Sequence, residues 1–75
     1  MTTTTSPDTR SQLLALQDKV RQARSAYYRG EAEYEDMRDA ARTYLEAKAK
    51  ADRAAGRKAP RTISSGAIAG LLRAL

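Results

Sequence analysis

The chain has 75 residues with no cysteine and no histidine, which excludes disulfides, thiolate or imidazole metal sites and a histidine general base. Its 14 basic and 9 acidic residues give a net charge of +5, and its four aromatic residues are all tyrosine. A chain of this size forms one domain, whose core rarely stabilises it by more than about 3–5 kcal/mol. We therefore expect it to gain stability by association with itself or with a larger partner.

Residues 1–6 are dominated by threonine and are predicted to form a flexible or extended arm. They contain neither a basic stretch nor an apolar core, so they do not resemble a secretion signal. No later stretch approaches the roughly 18 apolar residues that a membrane-spanning helix needs. We expect no membrane span, and a location in the virion if the protein belongs to a phage or in the cytoplasm otherwise.

In residues 7–55, apolar residues recur at spacings of three and four positions, and this pattern stops at Gly30 and then resumes. Pro7 suits the first turn of a helix, and a glycine suits the left-handed position that ends one. Two helices with one narrow apolar stripe each, joined at Gly30, are expected to pack antiparallel as an all-α hairpin. Beyond Lys48, itself on the stripe, the seam between the helices is expected to weaken. The predicted seam residues are Leu13, Leu16, Val20, Ala23, Tyr27, Tyr34, Met37, Ala41 and Tyr44.

The second helix, predicted to begin near Glu31, is acidic at its start and basic at its far end. This order matches the helix dipole, and the hairpin would place Arg24 and Arg29 beside the acidic start. The five carboxylates of residues 31–39 lack the spacing of a calcium-binding loop. We interpret them as a solvated helix start or a docking patch, and we predict no metal and no cofactor.

Residues 56–62 form a basic linker, because its glycine ends the second helix and its proline prevents the helix from resuming. Positive side chains beside such a segment suit contact with nucleic-acid phosphates or with an acidic protein face, and solvated linker charge is the alternative. The residues predicted to contact an anion or nucleic acid are Arg53, Arg57, Lys58 and Arg61.

Residues 63–75 form an apolar tail that is either extended or a short helix capped by Ser64 or Ser65. A helix of about ten residues is marginal in water, so this one needs a surface to lie on. We predict that it inserts into a groove on a neighbouring subunit. The predicted partner-binding residues are Ile63, Ile68, Leu71, Leu72 and Leu75.

In layout, the segments 13–29, 37–55 and 56–63 resemble the lambda W-type head-completion proteins, which connect head and tail in tailed phages. Members of that family have an N-terminal helix, a second helix rich in Ala, Leu, Glu and Arg, a basic Arg/Pro segment and a short tail. They also have a β-hairpin between the helices, for which residues 30–33 leave no room. The resemblance implies a structural protein of the virion, built to the same outline without that hairpin.

No catalytic constellation stands out: the serines lack a histidine partner, and the chain has no phosphate-cradling loop. We therefore expect no enzymatic activity and no small-molecule substrate. The leading hypothesis is a structural adaptor in a homo- or hetero-oligomeric assembly, with a phage head–tail connector as its specific form. The alternative is a small basic nucleic-acid-binding or regulatory module, and a weaker third hypothesis is a phage-encoded inhibitor of a host enzyme.

Overall fold

The computed structural model describes residues 7–75, with side chains from Thr9 onward, and contains only α-helices and their connections in that range. Helix α1 spans Pro7–Tyr28, α2 spans Tyr34–Ala54 and α3 spans Ser65–Ala74. The first two helices form a hairpin, and α3 packs back on it, which gives a body 48 Å long. The predicted all-α hairpin is confirmed, and the tail is helical rather than extended. The predicted N-terminal arm, residues 1–6, lies outside the described residues.

Gly30 ends α1 as predicted, in the left-handed region with φ of 77°. Its N–H donates to the Tyr27 carbonyl at 3.0 Å, and the N–H of Glu31 donates to the Ala26 carbonyl at 2.8 Å. These two bonds together form the Schellman motif, which satisfies carbonyls that the helix end leaves unpaired. Helix α2 begins at Tyr34 instead of near Glu31, because this motif and the N-cap residue of α2 occupy the intervening positions.

Side chains cap the first turns of α2 and α3. The carboxylate of Asp36 accepts a 3.1 Å bond from the N–H of Glu33, the N-cap residue of α2. Ser64 is the N-cap of α3, and its hydroxyl oxygen accepts from the N–H of Ala67 at 3.1 Å. Of the two serines predicted as caps, Ser64 takes the role, which fixes where the short helix begins.

One small core lies where the three helices meet. Val20 of α1, Met37 and Ala41 of α2, and Ile68 and Leu72 of α3 form a single buried cluster. Partly buried apolar side chains surround it: Ala23, Tyr27, Ala40, Tyr44, Leu45, Ile63, Leu71 and Leu75. Because α3 supplies two of the five central side chains, the hairpin alone has no complete core.

The tail residues predicted to bind a partner are part of this fold. Ile68 is 3% exposed and Leu72 9% exposed, both in the central cluster. Ile63, Leu71 and Leu75 pack against the same cluster. The prediction of an insertion into a neighbouring subunit is therefore corrected, because the chain's own hairpin supplies the surface that the short helix needs.

The predicted seam is buried in its middle and open at its ends. Leu13 and Leu16 are half-buried, whereas Val20 is fully buried. Tyr34 is 50% exposed, and its ring meets the Tyr27 ring edge-on with centroids 5.6 Å apart. Tyr34 therefore closes the turn end of the hairpin as an aromatic pair and is not a core residue.

The apolar face of α2 takes a different course from the predicted stripe beyond its midpoint. Ala49 is buried there, and Lys48 is exposed. Leu45 and Ala49 line the side of α2 that meets Ile63 and Ala67. Lys48 is consequently a surface residue, because α3 and the linker cover the neighbouring side of the helix.

Candidate functional site

The positive charge of the chain is concentrated at the end of the hairpin opposite the Gly30 turn. Residues 48–61 contain six of the 14 basic residues and one of the 9 acidic ones, which is a net charge of +5. The rest of the chain has eight basic and eight acidic residues, so its net charge is zero. We name this surface the basic corner; its cations are Lys48, Lys50, Arg53, Arg57, Lys58 and Arg61.

A second Schellman motif turns the chain at the basic corner. Gly56 has φ of 82°, and its N–H donates to the Arg53 carbonyl at 3.1 Å. The N–H of Arg57 donates to the Asp52 carbonyl at 2.8 Å. This motif ends α2 at the glycine that the sequence indicated and directs the linker back along the helix.

Two arginine side chains hold the linker in this position. Nη1 of Arg53 donates to the Pro60 carbonyl at 3.0 Å. Nη2 of Arg57 lies 3.2 Å from a carboxylate oxygen of Asp52, whose side chain is 26% exposed. Both arginines were predicted to contact an anion, and this stays a prediction. In the structure each bonds to its own chain and helps to position the linker.

The other two predicted contact residues, Lys58 and Arg61, are exposed and make no hydrogen bond or ion pair within the described residues. The same holds for Lys48 and Lys50, which the sequence analysis did not include among the contacts. A signal for them was present: the four-residue spacing from Met37 through Ala49 identifies the buried side of α2 and leaves both lysines outside it.

Lys48 and Lys58 belong to one concave surface. They line a depression of about 180 Å³ together with Asp52, and its apolar lining includes Leu45 and Ile63. Lys48 comes from α2 and Lys58 from the linker, so the folding back of the linker brings the two cations together. The basic corner is thus a shaped surface rather than a run of charges on an extended segment.

A second groove lies between the start of α1 and the end of α2, with a volume of about 400 Å³. Lys50 contributes its one charged side chain, and the remainder consists of three alanines, one leucine and two polar side chains. Its lining residues are Thr9, Gln12, Leu13, Ala47, Lys50, Ala51 and Ala54. Lys50 therefore extends the positive surface from the linker side of α2 to the hairpin groove.

The turn end of the hairpin has the opposite net charge, because residues 29–39 contain five acidic residues and two arginines, which gives −3. Five exposed carboxylates cluster there: Glu31, Glu33, Glu35, Asp36 and Asp39. Arg29 pairs with Glu31 at 3.1 Å within the turn, whereas Arg24 bonds to Leu75, which follows α3. The body is therefore acidic at one end and basic at the other along its 48 Å length.

The described residues contain neither a candidate metal-binding group nor a helix that could span a membrane. The acidic residues from Thr9 onward form no group of three that could hold a metal ion. In the described part, no helix combines the length and apolarity that crossing a bilayer requires. Comparison with models of protein families, with curated proteins and with solved structures gives no match.

Proposed function

We propose that the protein is a non-enzymatic adaptor that joins other subunits of an assembly through its two ends. The observation that carries this proposal is the separation of charge along the 48 Å body, acidic at the Gly30 turn and basic at the opposite end. Opposite charge at the two ends favours two different partners, because like-charged faces repel and complementary faces steer association.

The concave surfaces also favour docking over catalysis. The depression and the groove of the basic corner are lined mainly by alanine, leucine and lysine, and they lie at the surface of a body with one small core. Catalysis commonly needs a pocket that surrounds a ligand and excludes water. A surface of this kind is better suited to cover part of another macromolecule.

The specific form that we propose is a connector between the head and the tail of a phage virion. The layout of two helices, a basic Arg/Pro segment and a short tail supports it. Because the tail packs on its own hairpin, the docking surfaces in this proposal are the acidic turn end and the basic corner.

Affinity purification with chemical cross-linking, from the cells or particles in which the protein occurs, tests the adaptor proposal. The variant Glu31→Gln/Glu35→Gln removes charge at the turn end, and Lys48→Gln/Lys58→Gln removes it at the corner. Each variant should lose one partner and retain the other, measured by quantitative mass spectrometry. A chain that cross-links to no protein, or whose partners are unaffected by both variants, would contradict the proposal.

The connector form has its own test. Particles purified from the source should contain the chain at a fixed copy number per particle, measured against the major capsid protein by mass spectrometry. Absence of the chain from purified particles would reject the connector form and leave the adaptor proposal to the cross-linking experiment.

A further inference from the structure

We infer that the basic corner binds the phosphate backbone of double-stranded nucleic acid, independently of sequence. This goes beyond the adaptor proposal, which requires only protein partners. Lys48, Lys50, Lys58 and Arg61 are exposed and have no hydrogen bond or ion pair within the described residues. Cations of this kind gain free energy on a duplex, because each phosphate they neutralise releases condensed counterions.

The corner is organised before it meets a ligand. The bond from Arg53 to the Pro60 carbonyl and the pair between Arg57 and Asp52 hold the linker against the end of α2. Lys58 therefore shares a depression with Lys48 instead of moving on an open segment. A surface whose cations are already close together loses less conformational entropy on binding than a flexible basic tail would.

The location of the tyrosines favours a duplex over a single strand. The rings of Tyr28 and Tyr34 each contact the ring of Tyr27 at the turn end, and Tyr44 packs against the core. The basic corner therefore has no aromatic side chain. Proteins that bind single strands combine a positive groove with aromatic rings on which the bases stack, and this corner offers the positive charge alone.

The composition of the corner suits nucleic acid in addition to a protein subunit. Protein interfaces concentrate their binding energy in buried aromatic and arginine anchors, whereas nucleic-acid interfaces are much more positively charged. Lys48, Lys50 and Lys58 are point charges on flexible stems, which suit phosphate oxygens without demanding a fixed geometry. A phosphate backbone therefore fits the corner without excluding the subunit of the adaptor proposal, and the corner does not distinguish one base from another.

Fluorescence anisotropy with a mixed-sequence 20-base-pair DNA duplex tests the inference on the full chain. With four phosphates neutralised, the affinity should fall about 100-fold between 50 and 200 mM salt. The variant Lys48→Gln/Lys58→Gln/Arg61→Gln should bind at least about 30-fold more weakly at 50 mM salt, and the slope of log K against log salt should shrink by about 3. No binding by the wild-type chain at 50 mM salt would overturn the inference.

A matched control distinguishes binding by the basic corner from an effect of net charge alone. Lys19→Gln/Arg21→Gln/Arg42→Gln removes the same number of positive charges, three, from exposed positions on α1 and α2 outside the corner. This variant should bind within about 3-fold of the wild type, because its phosphate contacts remain. Equal losses in the two triple variants would mean that only net charge matters, which contradicts a defined binding surface.

Competition experiments distinguish the class of ligand. A single strand of the same length should bind more weakly than the duplex, and poly-glutamate at equal charge concentration should compete poorly. Tighter binding of either would overturn the assignment to a duplex backbone, and poly-glutamate would then identify an acidic protein face. These results are independent of the cross-linking experiment, so the adaptor proposal and this inference can fail separately.

Far-UV circular dichroism of every variant checks the fold. If the triple corner variant loses helix, the single linker variants Lys58→Gln and Arg61→Gln take its place. Each should reduce the salt slope by about 1, since each removes one phosphate contact. An unchanged slope in both single variants would contradict the contribution of the linker to the binding surface.

Discussion

Arg24 of α1 and Leu75 after α3 are joined by a 2.6 Å hydrogen bond from Nη1 to the Leu75 carbonyl oxygen. The same guanidinium lies over the Tyr28 ring, 5.3 Å from its centroid. Its Nε is buried and has no hydrogen-bond partner among the described residues. Carbonyls at a helix C-terminus lack intrahelical partners and attract positive charge, so Arg24 fastens the end of α3 to the hairpin.

Replacing Arg24 by methionine should loosen α3 while keeping an apolar stem against the helix. We expect a loss of about 1 kcal/mol, because one charge-assisted bond disappears while the buried, unpartnered Nε disappears with it. The Tm should fall by about 5 °C in a domain of this size. Hydrogen exchange should show faster exchange of the α3 amides than of those in the middle of α1.

Arg21→Met is the matched control, one turn earlier on α1. Arg21 pairs with Asp18 at 3.4 Å, but the two side chains are 55% and 65% exposed, so the pair contributes little. Its Tm should change by less than about 2 °C. If the two variants lower the Tm equally, the bond to Leu75 is not the cause.

Leu72→Ala tests whether α3 is part of the core. Leu72 is 9% exposed in the central cluster, and a buried leucine replaced by alanine costs about 2–5 kcal/mol. That loss is comparable with the whole stability of a core this small, so most of the cooperative thermal transition should disappear. Leu14→Ala, at a side chain that is 56% exposed, should leave the transition nearly unchanged.

Deletion of residues 60–75 extends the same test. The deletion removes Ile68 and Leu72 and uncovers Val20, Met37 and Ala41. By circular dichroism, the remaining hairpin should have less helix than α1 and α2 have in the full chain. A deletion variant that retains full helicity and the wild-type melting transition would show that the hairpin is stable without α3.

The helix ends were predictable because their signals are local. Gly30 and Gly56 each supply the positive φ that a Schellman motif needs, and the motif involves only residues within one turn. The sequence also predicted which face of the tail is apolar, and that its short helix needs a surface on which to pack. These features depend on spacing along the chain and not on how the helices meet.

Which surface the tail uses was not predictable from spacing, because that choice depends on the packing of all three helices. The heptad pattern placed Lys48 on the seam, although the spacing of Ala41, Leu45 and Ala49 marks a second apolar side of α2. That second side is the one that α3 and the linker cover. The hydrogen bond from Arg24 to Leu75 was unpredictable for the same reason, because Leu75 reaches Arg24 only when α3 packs on the hairpin.

Substitution by alanine should change the stability of the protein in opposite directions at Gly30 and at Gly70. A Cβ at either position would meet no atom within 4 Å, so crowding plays no part. Gly30 has φ of 77°, where an L-residue costs about 1–2 kcal/mol, and Gly30→Ala should lower the Tm. Gly70 lies inside α3, where alanine is favoured by up to about 1 kcal/mol, and Gly70→Ala should raise it. Chemical denaturation of both variants measures the difference, and a shared sign would contradict it.

Ser64 sets the start of α3, and its removal should weaken the attachment of that helix. Its hydroxyl oxygen accepts from the Ala67 N–H at 3.1 Å, and loss of such an N-cap costs about 1 kcal/mol. We expect Ser64→Ala to lower the Tm by about 5 °C, whereas Ser64→Asp should retain it, because a carboxylate accepts the same bond and favours the positive helix end. Ser65→Ala is the control, since Ser65 is the first residue of α3 and not its cap. If Ser65→Ala lowers the Tm more than Ser64→Ala does, α3 begins one residue later and Ser64 is not its N-cap.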